Sequence, residues 1–227
     1  MHQLLNNLIN LLKWPTAICS ILLFIPISQR LWNVLDYIYR HFDVYALLIY
    51  GAIVYFILWF LWLRYSAMMR WFSTLEHELT HVIFAILSLN RVTALNASSH
   101  NGGNMNYQGY GNWIITLAPY FVTTLSLIIL LILSLAKTSY HPTLLFIMGF
   151  SIAYHLQSTW YEMHRKQTDL QKSGWFFVWL FLPTANLLML LILLTALPND
   201  GLSTGRSLSY VWQDMQQYWV LLKAMFF

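Results

Sequence analysis

Hydrophobic and polar residues fall along this chain in long blocks rather than in alternation. Residues 4–12, "LLNNLINLL", set Asn among leucines at helical spacing, which predicts a short helix lying in a membrane interface. "WPTAICSILLFIPI" (14–27) is apolar for fourteen residues and contains Pro15 and Pro26, which predicts a short span or a re-entrant segment. "VYALLIYGAIVYFILWFLWL" (44–63) offers twenty uncharged residues, enough to cross a bilayer. A helix from about 69 to 89 follows, polar at its start and apolar beyond. Three further apolar runs cover 113–136, 143–161 and 175–197, and the amphipathic tail from 208 predicts a helix on the interface or on the bundle.

One segment breaks this rhythm. Residues 90–112, "NRVTALNASSHNGGNMNYQGYGN", are rich in Asn, Gly and Ser, with a short β-branched stretch ahead of a turn-forming "HNGGN". That pattern predicts a β-hairpin or a structured loop. The fold class expected is an all-α multi-pass membrane protein of about six transmembrane helices, with a small β-hairpin or loop insertion. The organisation expected is an N-terminal interfacial helix and short apolar segment (1–42), a membrane-embedded core (43–197) and a C-terminal amphipathic helix (198–227).

Composition agrees with the membrane reading. The chain is 59% hydrophobic and 9% charged, with a mean hydropathy of +0.56. A soluble domain carries about a quarter charged residues. The net charge of +4 is small and its basic residues are scattered, so nucleic acid is not an expected partner. A single cysteine, Cys19, excludes an intrachain disulfide. The first residues, "MHQLLNNLINLLK", lack the basic start of a signal peptide. If every apolar run crosses once, the twelve Lys and Arg residues divide six and six, so charge gives no orientation.

Candidate chemistry lies in "STLEHELTHVIFAILSL" (73–89). His77, Glu78 and His81 form an HExxH sequence. On a helix, positions four apart share a face, so both imidazoles can reach one metal ion while Glu78 reaches a water beside it as general base. Ser73 and Glu76 also fit a capping box, which accounts for Glu76 without catalysis. Chance accounts poorly for the rest, at roughly 0.004 HExxH per chain of this composition. Ionisable groups in a lipid-spanning helix need a partner, and a metal, expected to be zinc, serves all three.

The HELTH helix, the 90–112 segment and the run beginning "GNWIITLAPYFVTT" resemble the site-2 protease family of intramembrane zinc metalloproteases. The resemblance covers about 70–175. It implies hydrolysis of peptide bonds in membrane-protein or peptide substrates within a lipid bilayer, with the hairpin presenting an edge to an extended chain. The family's Leu-Asp-Gly ligand motif is absent; "HRKQTDLQKSG" is similar instead to the Ser/Thr-Asp step of a divergent, B-type branch.

A catalytic zinc needs a third protein ligand. His155, Glu162 and Asp169 are spaced by seven, so on one continuous helix they share a face. Depth favours His155, about 18 Å into its helix, over Asp169, about 39 Å along and beyond the hydrocarbon. The resemblance points the other way for Asp169, through the Asp of "TDL", which stays open as the alternative ligand. Asn186, near mid-membrane, is a candidate for bonding a substrate backbone or a neighbouring helix. The expectation is a zinc metalloendopeptidase, multi-pass in a bacterial cytoplasmic membrane. Its base is Glu78 and its ligands are His77, His81 and His155. The other classes are a metal-binding or metal-transporting membrane protein and a scaffold with a structural metal. Oligomeric state is left open.

Overall fold

The computed structural model describes residues 2–99, 102–198 and 201–226. Ten α-helices and two strands follow in chain order: α1 (His2–Leu11), α2 (Lys13–Arg40), α3 (Phe42–Leu61), α4 (Ala67–Leu87), β1 (Val92–Ser98), β2 (Gly102–Tyr107), α5 (Trp113–Leu117), α6 (Thr124–Leu135), α7 (His141–Glu162), α8 (Thr168–Ser173), α9 (Trp175–Thr195) and α10 (Thr204–Phe226). The protein is thus an all-α membrane protein with a small β insertion.

The apolar runs become helices because lipid leaves the backbone no other partner for its polar groups. The helices α2, α3 and α9 are each long and apolar enough to cross a membrane, and α5 with α6 adds a fourth crossing if the bent pair is one span. The expected six crossings therefore reduce to three or four that qualify by length and composition. At 21 and 22 residues α4 and α7 have the length, but Arg70, Glu76, Glu78 and the histidines of α4, and His155, Gln157, Ser158 and Thr159 of α7, lower their hydropathy. Outward faces of α2 and α3, among them Ile21, Ile53, Phe56, Ile57 and Phe60, are exposed apolar surface suited to lipid.

One expectation changes here. Residues 14–27 do not form a short or re-entrant piece; they are the first half of α2, a continuous helix of 28 residues that runs through Pro26. It packs along α9, with Ile27, Leu31 and Val34 in one buried cluster with Leu191 and Leu194. At the N-terminus, α1 is tied to the body of the protein through Asn6. Asn6, fully buried, donates to Asn90 Oδ1 at 3.0 Å and accepts from Asn112 at 2.6 Å, while Asn112 also donates to Ser88 Oγ at 3.0 Å. Buried amides of this kind are tolerated because they satisfy each other. The tail, α10, docks on α2: Tyr218 donates to Gln29 at 2.8 Å, and Arg30 lies over the Tyr210 ring and donates to Ser207.

The hairpin is as the Asn/Gly pattern predicts. Antiparallel pairs run from Val92↔Tyr107 to Ser98↔Gly102, with a bulge between Val92 and Ala94, and β1 and β2 are the sheet's two strands. The expected turn at "HNGGN" falls partly on 100–101, outside the described residues. Against α4 the hairpin stands beside the HExxH turns.

The α3–α7 pair is the closest helix contact and depends on missing side chains. A methyl group on Gly51 would meet the Phe146 carbonyl, and one on Gly149 the Leu48 carbonyl. Small residues let membrane helices approach to backbone contact. Tyr55, fully buried, then donates to Gln157 Oε1 at 2.6 Å and fixes the register. Gly149→Val should destabilise the fold by about 1–3 kcal/mol through overpacking. The measurement is thermal unfolding in detergent against Gly205→Ala, whose site is open; equal midpoints would show that the contact is not tight.

Candidate metal centre

His77, Glu78 and His81 lie on successive turns of α4 and are buried. The helix starts at Ala67, earlier than the capping-box pattern predicts, with Ser66 as its N-cap accepting from Met69 N at 3.3 Å. Ser73 is therefore free of capping, and its hydroxyl donates to Glu162 Oε1 at 3.0 Å. The other oxygen, Glu162 Oε2, stands 2.7 Å from His77 Nδ1. His81 Nδ1 lies 2.6 Å from the carbonyl oxygen of Ile115.

That carbonyl is free for a covalent reason. In an unbroken helix Ile115 O would accept from the N–H of residue 119, and residue 119 is Pro. The run 113–136, read as one crossing, is broken there: α5 ends at Leu117, a 3₁₀ turn holds Ala118–Tyr120, and α6 leaves at 75° to the first piece. Asn112 caps α5 by accepting from Ile115 N at 3.0 Å, so both ends of the short helix are pinned.

A carbonyl can only accept, so His81 Nδ1 carries the hydrogen and Nε2 of the neutral ring carries a lone pair. The Glu162 carboxylate draws the hydrogen of His77 to Nδ1 in the same way. The two Nε2 atoms face each other at 3.2 Å, with Asp169 Oδ2 3.3 Å from His81 Nε2 and 3.7 Å from His77 Nε2. Three electron-rich atoms thus converge. A proton relieves one of their contacts, while a cation among them relieves all three. Ligands at zinc's usual distance of about 2.0–2.1 Å in a tetrahedral arrangement stand about 3.3 Å apart. The donor set and its spacing fit such an ion.

His77, His81 and Asp169 are the group whose possible ligand atoms lie within 4.8 Å of one another among the described residues. His155, expected beside the pair from its depth, is not in it. Its Nε2 lies 3.4 Å from Thr159 Oγ1, one turn along the same helix. Depth counted along one continuous helix does not place Asp169, because 155–169 is not one helix. The helix stops at Glu162, the chain reverses over 163–167, and α8 returns against α5. Leu170, fully buried with Leu117 and Phe177, anchors α8 so that Asp169 meets the histidines. Asn186 bonds its own bundle, donating to Tyr120 O and Leu182 O at 2.9 Å.

Glu78 lines a hollow of about 150 Å³ with His81, Asp169, Thr116 and the β2 residues Gly103, Asn104, Met105 and Tyr107. Its carboxylate lies so close to Gly103 that a side chain there would collide with it.

An all-helical membrane protein with a β insertion, and a buried His–His–Asp cluster beside a glutamate, defines a narrow class. A family model described as Peptidase M50B-like matches residues 49–197, and the chain belongs to that family. The kinship with site-2 proteases expected from HELTH is met. No curated protein and no solved structure matches the chain.

Pro119→Ala returns an N–H that competes with His81 for the Ile115 carbonyl. Divalent-metal affinity should fall about 10–100-fold, as for other partners of metal-bound histidines. Chelator titration of both proteins measures this, and unchanged affinity would show that the carbonyl does not orient His81.

Proposed function

We propose that this chain is an intramembrane zinc metalloprotease that hydrolyses peptide bonds of membrane-associated substrates. The observation that carries the reading is the convergence of His77 Nε2, His81 Nε2 and Asp169 Oδ2 at 3.2–3.7 Å, with Glu78 in the adjoining hollow. His77, His81 and Asp169 would hold the ion. Zinc, when bound, supplies an acidified water and polarises the substrate carbonyl. Glu78 takes the proton of the attacking water as oxygen adds to the carbonyl carbon. The C–N bond then breaks, and Glu78 passes the proton to the departing amine. Glu162 and the Ile115 carbonyl keep both imidazoles turned to present Nε2. Membership of a peptidase family supports the same chemistry.

The substrate has to be extended, because a helix hides its carbonyls in its own hydrogen bonds. β2 pairs with β1 along one edge, and its other side faces the hollow with Glu78. A peptide laid along β2 would bring its backbone past Glu78 by strand addition. Gly103 leaves room for the carboxylate at that point.

Two results test the reading. Asp169→Ala should release zinc at chelator concentrations that leave His155→Ala loaded; the reverse order would return the third position to His155. Glu78→Gln should keep zinc and helical content yet lose cleavage by about a hundredfold or more, and Gly103→Ala, which displaces Glu78, should lower kcat with zinc retained. Full proteolysis in Glu78→Gln would remove Glu78 as the base, whereas zinc-loaded wild-type protein that cleaves nothing would leave a metal-binding or metal-transporting protein as the better description.

A further inference from the structure

Two hollows meet beside β2. The first holds Glu78, His81 and Asp169. The second, about 260 Å³, is lined by Asn10, Lys13, Lys172 and Ser173 among others; Tyr107, Thr116 and Lys172 line both, so the two adjoin. They differ in charge. Two carboxylates offset Lys172 in the first, whereas Lys13 and Lys172 are the charged residues of the second, which has no carboxylate in its lining.

One of its two cations is held in place. Lys13 Nζ donates to Ser173 O at 2.7 Å and lies over the rings of Phe177 and Trp14 at 5.0 and 5.7 Å. An ammonium has three hydrogens, so this lysine keeps donors to spare. Lys172 Nζ stands 3.7 Å from Asp169 Oδ1 and is largely exposed. Ser173 is 3% exposed, and its buried hydroxyl has no hydrogen-bond partner among the described residues. Buried hydroxyls are ordinarily paired. Two cations and an unused hydroxyl around one hollow are the complement of an anion. Along β2, Gly103 touches Glu78 and Tyr107 borders the second hollow. Four strand residues span about 13 Å.

We propose that the second hollow is a substrate subsite for a carboxylate, engaged by Lys13, Lys172 and Ser173 about four residues from the bond that is cut. The inference rests on the protease reading for its biological meaning. A carboxylate there sets register: it fixes which peptide bond stops at Glu78. Lys13 lies outside the family match at 49–197 and Lys172 within it.

The test reads binding without cleavage. Fluorescent peptides carrying Asp at each position in turn, with Asn counterparts, are titrated into zinc-loaded Glu78→Gln protein in detergent. One position should bind roughly fivefold to tenfold tighter with Asp than with Asn, and the gap should narrow in high salt. Comparing a peptide that ends at that position with its amide separates a chain terminus from a side chain. Lys13→Glu should erase the gap and move the preference to a peptide with Lys at the same position, an exchange that misfolded protein cannot produce. A gap at no position, or one that survives Lys13→Glu, overturns the subsite. So does displacement of the Asp peptide by phosphatidylglycerol but not by phosphatidylcholine, which would assign the hollow to a lipid headgroup. Wild-type protein that shows the binding preference yet cleaves none of these peptides would support the subsite and sink the protease reading.

Discussion

Proline has no N–H, and the candidate centre depends on that fact at residue 119. Inside an apolar bundle every carbonyl must find a donor, and an ordinary helix supplies its own. Pro119 takes one donor away, the Ile115 oxygen is left over, and His81 Nδ1 fills it at 2.6 Å. Tyr120, in the same break, has its oxygen filled by Asn186. The interruption of one helix is what gives a neighbouring helix its orientation. Two imidazoles four residues apart do not by themselves choose which nitrogen to turn inward; their partners across the bundle make that choice.

Those partners come from separate parts of the chain. His77 depends on Glu162, the last residue of α7, which Ser73 holds by its other oxygen. His81 depends on α5, and Asp169 on α8, whose Leu170 is packed among Leu117 and Phe177. Trp113 stacks edge-on against Phe177 and Phe181 and joins α5 to α9 in the same cluster. The centre is therefore a junction of four helices rather than a property of the HExxH segment. That explains why an apolar protein places so many hydrogen-bonding side chains within one region of its interior.

Much of this was legible in the sequence, and the remainder was hidden for definite reasons. The histidine pair and Glu78 were readable because their geometry is local: a helix fixes positions four apart whatever surrounds it. The hairpin was readable because Asn and Gly announce turns. The third position was not, since seven-residue spacing from His155 to Asp169 carries information only if the helix is unbroken, and it ends at Glu162. The segment at 14–27 looks short because its apolar run ends at Ile27, whereas α2 continues through Pro26 into the more polar residues up to Arg40. Pro119 was the opposite case: a break that sat in plain view within a run read as one crossing. Ser73, read as a cap, serves Glu162 instead, because Ser66 starts the helix a full two turns earlier.

The amide cluster of Asn6, Asn90 and Asn112 implies an order of assembly. Asn90 and Asn112 lie 84 and 106 residues beyond Asn6 in the chain, so α1 has no partner for its buried amide until the hairpin and the start of α5 have been synthesised. Closing so long a loop is slow, and contacts of such separation form late in folding. Leu4, Leu8 and Leu11 stay exposed on α1 in the folded protein, so a membrane surface suits this helix both before and after the amide cluster closes. The leucines of "LLNNLINLL" keep the segment at that surface, and its buried asparagine selects the part of the protein it lies against.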